Sequence, residues 1–238
     1  MSEKIPRIVS VAFEGSHRAG KGTQIELLAK DLESEGIPYL VVHGAGSRPN
    51  KGIELSDPVS DWWTKTNAEL KTIKGATDLE KWNQASDRLA REVIVFRERI
   101  LRKIAEDRGS DCAVLLLDRT LISRAMLNEH IQESTVEDCA TADISTASVG
   151  TPKTIKMMVP DLIFNLVANI PVLLGRLDKT DPKYEFRKKN IEEKSPFYFK
   201  GKALLPASIR DRVIQVDASS SPGQIHQEIM AQLARLIH

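Results

Sequence analysis

The residues best placed for chemistry lie in the stretch "FEGSHRAGKGTQ", which runs from Phe13 to Gln24. Gly15 and Gly20 are separated by four residues, and Lys21 follows directly, after an apolar run and before a helical pattern. Such glycines let backbone N–H groups face an anion, the helix start adds positive potential, and the lysine reaches the β- and γ-phosphates. The pattern therefore predicts a loop that binds the phosphates of a nucleotide.

Three charged residues are placed to act on phosphates held by that loop. Arg18 is inside it, and Asp118 and Arg119 follow the apolar run Ala113 to Leu117. Open α/β sheets bind ligands at the carboxyl ends of their strands. Because phosphoryl transfer depends on positioning and charge neutralisation, these residues favour a phosphotransferase. The alternatives are an Arg18 that points to solvent and an Asp118 that caps a helix before a surface arginine.

The residue after the lysine departs from the commonest form of the loop. A serine or threonine usually stands there, and its hydroxyl contacts Mg²⁺. Here Gly22 intervenes and Thr23 comes one position later, in a Gly-Lys-Gly-Thr sequence that resembles adenylate kinases. Thr23 is still a candidate metal ligand.

Composition limits the classes of protein that fit. The 238 residues suffice for one well-buried domain, residues 1–238. The 34 basic and 33 acidic residues nearly cancel, which gives no electrostatic case for binding nucleic acid or a membrane surface. Two cysteines make neither a disulfide framework nor a metal cluster. The polar amino terminus and the interrupted apolar stretch 159–175 predict a cytoplasmic protein.

Short apolar runs alternate with helical patterns along the chain. Continuous hydrophobicity suits strands that are covered on both faces, and the alternation indicates βαβ units, hence an α/β protein with a mainly parallel sheet. The predicted strands are Ile8–Phe13, Tyr39–Val42, Ala113–Leu117, Leu162–Val167 and Val213–Val216, and the predicted helices cover 22–36, 78–109 and 221–237.

Five motifs occur in a specific order: "FEGSHRAGKGTQ", "QASDR", "LLLDRT", "VPDLIF" and "VIQVDASSS". This series covers nearly the whole chain and resembles the thymidylate kinase family of nucleoside-monophosphate kinases. The resemblance implies a three-layer P-loop NTPase fold, in which a five-stranded parallel sheet is flanked by helices and carries a short basic lid. It also implies ATP as donor, Mg²⁺, a nucleoside monophosphate as acceptor, and a homodimer.

On the donor side, the resemblance makes Arg18 catalytic and places Asp118 where it holds Mg²⁺ through water. Arg176 matches an arginine near adenine, and Ala218 lies in the "DASSS" loop that passes the adenine ring. The predicted catalytic residues are Arg18, Lys21, Asp118 and Arg119, the metal ligands are Thr23 and Asp118, and the ATP-binding residues are Gly15, Ser16, His17, Arg18, Ala19, Gly20, Lys21, Gly22, Thr23, Arg176 and Ala218.

On the acceptor side, the resemblance implies that Arg119 binds the acceptor phosphate. Arg88, in "QASDR", matches the arginine that reaches the base. Arg48, in "HGAGSRPN", is a further candidate for the acceptor phosphate, although the family usually carries a different sequence there. A solvated helix face and a surface turn are the alternatives for these two arginines.

Three positions that face the nucleoside in this family depart together. His17 replaces an aspartate that contacts the 3′-hydroxyl, Gln84 replaces a phenylalanine that stacks on thymine, and Leu127-Asn128 replaces a Tyr-Gln pair. Losing a stacking ring costs roughly 1–3 kcal/mol, and imidazole changes both the charge and the donor pattern. His17, Gln84 and Asn128 are therefore acceptor-binding candidates at which selectivity could have changed.

Two segments complete the scheme. Residues 178–202 are rich in lysine and arginine and are the predicted mobile lid. Lys183 and Arg187 in this segment rank behind Arg176 as site residues. Residues 132–158 are polar and weakly patterned, which predicts a variable connection.

The sequence thus predicts an ATP-dependent nucleoside-monophosphate kinase, with dTMP as the first acceptor. A kinase for another monophosphate is the alternative among enzymes, and a non-catalytic nucleotide-binding module is the alternative outside them. A switch GTPase is disfavoured, because the Asn-Lys-x-Asp sequence that reads guanine is absent.

Overall fold

Five parallel strands form the centre of the molecule, in the spatial order Tyr39–His43, Cys112–Asp118, Arg7–Gly15, Leu162–Val167 and Val213–Asp217. The computed structural model describes residues 5–43, 97–120, 122–123, 126, 141–148 and 151–237. The strands of this sheet are β1 (Arg7–Gly15), β2 (Tyr39–His43), β3 (Cys112–Asp118), β6 (Leu162–Val167) and β7 (Val213–Asp217). Each contains one of the five predicted strands, so the predicted five-stranded parallel α/β sheet is confirmed.

Helices cover the sheet on both faces. In the described part of the chain they are α1 (Lys21–Ser34), α2 (97–107), α3 (Ile170–Gly175), α4 (Tyr184–Gly201), α5 (Ala207–Arg210) and α6 (Pro222–Ile237), with a 3₁₀ turn at Lys202–Leu204. The first and last predicted helices are confirmed. Only 97–109 of the predicted helix 78–109 is described, and α2 lies there. No helix in these described ranges is both long and apolar enough to cross a membrane.

Alternation along the strands separates two faces of the sheet. Val9, Val11 and Phe13 belong to one apolar cluster with residues of α1 and α6, such as Leu28 and Ile229. The residues between them face the other way, as a strand's period of two requires. The result is three layers: α1 and α6 pack on the face of Val9, Val11 and Phe13, and on the opposite face Asn165 of β6 contacts Tyr198 of α4.

Local signals at the ends of α1 explain its bounds. Gly20 precedes the helix with a φ of 90°, and Gly36 follows it with a φ of 70°. Both values lie in the left-handed region that glycine adopts without steric cost. Between them Ile25, Leu28 and Leu32 are buried, which places the apolar stripe of α1 on the sheet.

Two further strands form a separate antiparallel pair, β4 (Thr141–Ser148) and β5 (Thr151–Met158). The sequence predicts only a variable connection for 132–158, so this hairpin is a feature that the apolar pattern misses. Its ladder runs from Thr141 opposite Met158 to Ser148 opposite Thr151. Neither strand has the continuous apolar run on which the strand predictions depend.

The carboxyl end of β1 tolerates only glycine. A Cβ at Gly15 would lie 2.3 Å from the carbonyl oxygen of Leu166, and the φ of Gly15 is 131°. We expect Gly15→Ala to lower the free energy of unfolding by about 3 kcal/mol or more, measured by urea denaturation. Gly223→Ala is the matched control, because nothing lies within 4 Å of its added Cβ. Equal stability of the two variants would contradict this account of the strand end.

Candidate functional site

The candidate site lies where the sheet changes its direction of winding. β1 pairs with β3 on one side and with β6 on the other, so the chain crosses β1 between these two neighbours. In open α/β sheets this switch leaves a crevice at the carboxyl ends of the strands. The loop from Ser16 to Gly20 leaves β1 at this point and leads into α1.

The loop is tightly folded around the lysine that ends it. Arg18 and Gly20 have φ values of 63° and 90°. Lys21 is buried, and its Nζ donates to the carbonyl oxygens of Gly15 at 3.1 Å and Ser16 at 2.8 Å. The ammonium group therefore lies at the base of the loop, beside the carbonyl groups of its first residues.

A cleft of about 610 Å³ opens above this loop. Five of its lining residues are cationic, and one is a carboxylate. The cations are Arg18, Lys21, Arg119, Arg176 and Arg187, the acid is Asp118, and the other lining residues are His17, Ala19, Gly20, Gly22, Thr23, Gln24, Ser220, Pro222 and Ile225. This excess of positive charge suits a polyanion.

The pKa of His17 reflects partial burial and this excess of charge. Partial desolvation of the ring, together with the charges of Arg119, Lys21, Arg187 and Lys194, lowers this pKa from 6.5 to about 4. Although the side chain is exposed at the rim of the cleft, the imidazole is therefore neutral near pH 7. A neutral imidazole has one donor and one acceptor nitrogen.

Arg176 connects the loop after β1 to the loop after β7. Its Nη1 donates to the carbonyl oxygen of Arg18 at 3.2 Å, and its Nη2 donates to that of Ala218 at 2.7 Å. Arg176 follows α3 directly. Two ATP-site candidates from distant parts of the sequence, Arg176 and Ala218, are thus brought together by direct contact.

α4 contributes one further cation and closes one side of the site. Arg187 lines the cleft, 2.7 Å from the Asp181 carboxylate, whereas the exposed Lys183 is not among the lining residues. The sequence ranks both behind Arg176, and of these two Arg187 is the one that lines the cleft. Ser195 of α4 donates through its Oγ to Ser16 Oγ at 2.8 Å.

Sequence reasoning missed a buried polar cluster beneath the site, formed by Glu14, Thr120, Ser123 and Tyr198. Glu14 is fully buried and accepts from the backbone N–H and the hydroxyl of Thr120, at 2.8 and 2.7 Å, and from Ser123. Burial raises the pKa of Glu14, while these hydrogen bonds and the charge of Arg119 oppose the rise. The sequence feature that could have indicated this cluster is a glutamate directly after the predicted strand Ile8–Phe13.

The structure tests whether Mg²⁺ fits here through its donor groups. Among the described residues no group of three or more His, Cys, Asp or Glu could hold a metal. Mg²⁺ that accompanies phosphates commonly uses only one or two protein oxygens and several waters. Asp118 and Thr23 line the same cleft and would supply a carboxylate and a hydroxyl of the kind that Mg²⁺ uses, and their binding of Mg²⁺ stays a prediction.

The predicted site residues divide into those that the structure describes and those that it does not. His17 to Thr23, Asp118, Arg119 and Arg176 line one cleft, Gly15 and Ser16 form its base, and Ala218 is held by Arg176. Arg48, Gln84, Arg88 and Asn128, all assigned to the acceptor, lie outside the described residues. Their roles, and those of the lid and the homodimer, stay predictions.

Comparison with known proteins gives one partial similarity. No protein-family model matches the chain. A stretch of 63 residues is 38% identical to a thymidylate kinase of Bradyrhizobium sp. strain BTAi1. The match covers 26% of this chain and 28% of that protein, so it spans about a quarter of each. This similarity supports a kinase-like protein.

The charge of the cleft can be measured through His17. We expect its imidazole to titrate with a pKa of about 4 in the ligand-free protein. Pyrophosphate in the cleft would offset the neighbouring cations and raise that pKa, which NMR of the ring protons would follow. Because the folded value lies below the usual 6.5, the folded state binds fewer protons than the unfolded chain between pH 4 and 6.5, and acidification through this window removes stability. A His17 pKa that stays near 6.5 and does not change when pyrophosphate is added would contradict a cationic cleft around this ring.

Proposed function

We propose that this protein is an ATP-dependent nucleoside-monophosphate kinase that transfers the γ-phosphate of ATP to a monophosphate, with dTMP as the acceptor to test first. The observation that carries the proposal is the cleft at the carboxyl ends of β1 and β3, where five cations and one carboxylate surround a glycine-bounded loop. The partial similarity to a thymidylate kinase supports the same class of reaction.

The loop and its lysine would bind the donor phosphates. Backbone N–H groups at the start of α1 provide donors, and the helix terminus favours anions. Lys21 lines the cleft and would exchange its hydrogen bonds to the carbonyl oxygens of Gly15 and Ser16 for hydrogen bonds to phosphate oxygens. Arg176 would keep the two loops on either side of the adenosine at a fixed separation.

Arg18 and Arg119 would neutralise charge at the two ends of the transfer. Arg18, in the loop, would be next to the donor phosphates, and Arg119, which lines the cleft after the end of β3, would be next to the acceptor phosphate. Phosphoryl transfer needs little covalent chemistry from the protein, so two placed guanidinium groups could supply much of the rate. Mg²⁺, bound through Asp118 and Thr23 with ATP, would add charge neutralisation at the β- and γ-phosphates.

The acceptor is the less constrained half of the proposal. His17 lies at the rim of the cleft as a neutral group that can both donate and accept a hydrogen bond. A carboxylate in that position would only accept. Selectivity could therefore favour dTMP or another (deoxy)nucleoside monophosphate, depending on which hydroxyl or base edge His17 meets.

Removing Arg18 should separate chemistry from binding. We expect Arg18→Ala to lower kcat by roughly 1,000-fold or more, because arginines that face the transferred phosphoryl group contribute that much. The Kd for MgATP, measured by calorimetry, should change much less. Arg99→Ala is the matched control, since Arg99 is exposed on α2, away from the cleft. Full turnover by Arg18→Ala would remove Arg18 from the mechanism.

A panel of acceptors tests the proposed substrate. ADP release with MgATP would be measured against dTMP, dUMP, UMP, dCMP, CMP, AMP, dGMP and GMP, and we expect dTMP to give the highest kcat/KM. Another preferred acceptor would assign the changed selectivity to His17, Gln84 and Asn128. ATP binding without turnover on any acceptor would instead indicate a non-catalytic nucleotide-binding module.

A further inference from the structure

The side chain of Arg119 is held from behind by a residue of α4. Nη1 of Arg119 donates to the hydroxyl of Tyr198 at 2.6 Å, and the guanidinium carbon lies 5.9 Å from the centre of the Tyr198 ring. Tyr198 is 2% exposed. Arg119 also lines the cleft, so one side of its guanidinium meets a buried phenol while the group borders the ligand space.

The hydrogen bonds behind Arg119 run in one direction when Glu14 is ionised. Arginine has donors only, so the Tyr198 oxygen must accept from it and direct its own proton elsewhere. That proton goes to Ser123 Oγ at 3.3 Å, and Ser123 in turn donates to Glu14. Glu14, when ionised, accepts only. The order is therefore Arg119 to Tyr198 to Ser123 to Glu14, with a cation at one end and a carboxylate at the other.

The backbone around Arg119 is fixed to the same strand. Arg119 has a φ of 67°, which is unusual for a residue with a side chain. Its N–H donates to the carbonyl oxygen of Phe13 at 3.0 Å, and the next residue, Thr120, donates twice to Glu14. The backbone of Arg119 is thus hydrogen-bonded to Phe13 of β1, and its guanidinium group is connected to Glu14 of β1 through Tyr198 and Ser123.

Tyr198 itself is well anchored. The Nδ2 of Asn165 in β6 donates to its carbonyl oxygen at 2.8 Å, and Ser195, one turn earlier on α4, donates to Ser16 of the phosphate loop at 2.8 Å. The phenol therefore holds a fixed position relative to both the sheet and the loop. A hydroxyl held in this way can orient a guanidinium while leaving its other N–H groups for a ligand.

We propose that Tyr198 is a positioning residue: its hydroxyl, at the head of the relay to Ser123 and Glu14, orients the guanidinium of Arg119 toward the acceptor phosphate. The inference rests on the proposed function for the identity of that ligand. The orientation of Arg119 is a property of the ligand-free protein and can be measured separately.

The test uses Tyr198→Phe, which removes the hydroxyl and keeps the ring. NMR of ¹⁵N-arginine-labelled protein reports rotation of the Arg119 guanidinium, whose signal is identified with Arg119→Lys. We expect hindered rotation in the unaltered protein and free rotation in Tyr198→Phe. Tyr39→Phe, at the far end of β2, is the matched control and should leave the rotation hindered. Hindered rotation that survives in Tyr198→Phe would overturn the proposal.

Kinetics supply the second readout. With the best acceptor, Tyr198→Phe should raise the acceptor KM about tenfold, as expected for a lost hydrogen bond to a charged group, while the KM for ATP changes less than twofold. If Tyr198 acts through Arg119, Tyr198→Phe adds nothing further in an Arg119→Ala background. Independent, additive losses would overturn the proposal.

Two outcomes separate this inference from the proposed function. If the unaltered protein turns over no acceptor, the proposed function fails, and the guanidinium rotation alone decides the role of Tyr198. If Tyr198→Phe does not fold, Ser123→Ala cuts the relay one bond further on and takes its place in both measurements. Hindered rotation and an unchanged acceptor KM in Ser123→Ala would then count against the relay.

Discussion

The burial of the Glu14 carboxylate constrains the organisation of the site. A carboxylate fully removed from water is costly unless donors surround it. Here the donors come from Thr120 and Ser123, which follow β3, so the segment after β3 must lie against the end of β1. The same requirement brings Asp118 and Arg119 next to the loop that follows β1.

Sheet pairing alone would not achieve this alignment. The ladder between β1 and β3 ends with Phe13 opposite Asp118, which is the last residue of β3, whereas β1 continues beside β6 to Gly15. Beyond that pair the end of β1 and the segment after β3 are joined by the Glu14 side chain and by the backbone hydrogen bond from Arg119 to Phe13. The polar cluster therefore holds the end of β1 against the segment after β3, where the β1–β3 ladder has already ended.

The sequence predicted the parts of this structure that depend on local patterns. Continuous apolar runs such as Ala113–Leu117 identify strands because both faces of a parallel sheet are covered. Glycines identify the loop and the end of α1, since positive φ values leave a strong compositional mark. The hairpin β4–β5 has no such run, and pairing between two polar strands leaves little trace in composition.

The site was predictable only where its members are adjacent in sequence or share a motif. Arg18, Lys21, Asp118 and Arg119 fall in motifs, and all four line the cleft. Tyr198 lies 79 positions from Arg119, and nothing in the residues around it indicates which arginine it meets. Contacts of this range depend on how α4 is seated on the sheet, which helical periodicity does not specify.

The two arginines proposed to act on phosphates share a cost that most of the chain avoids. Arg18 and Arg119 are the described residues other than glycine with positive φ, at 63° and 67°. Glycine at either position would relieve steric strain on the order of 1 kcal/mol, yet would delete the guanidinium. A selection for thermostability alone would therefore favour glycine at these two positions, although the substitution removes a guanidinium from the cleft. Keeping arginine there exchanges stability for charge at the cleft.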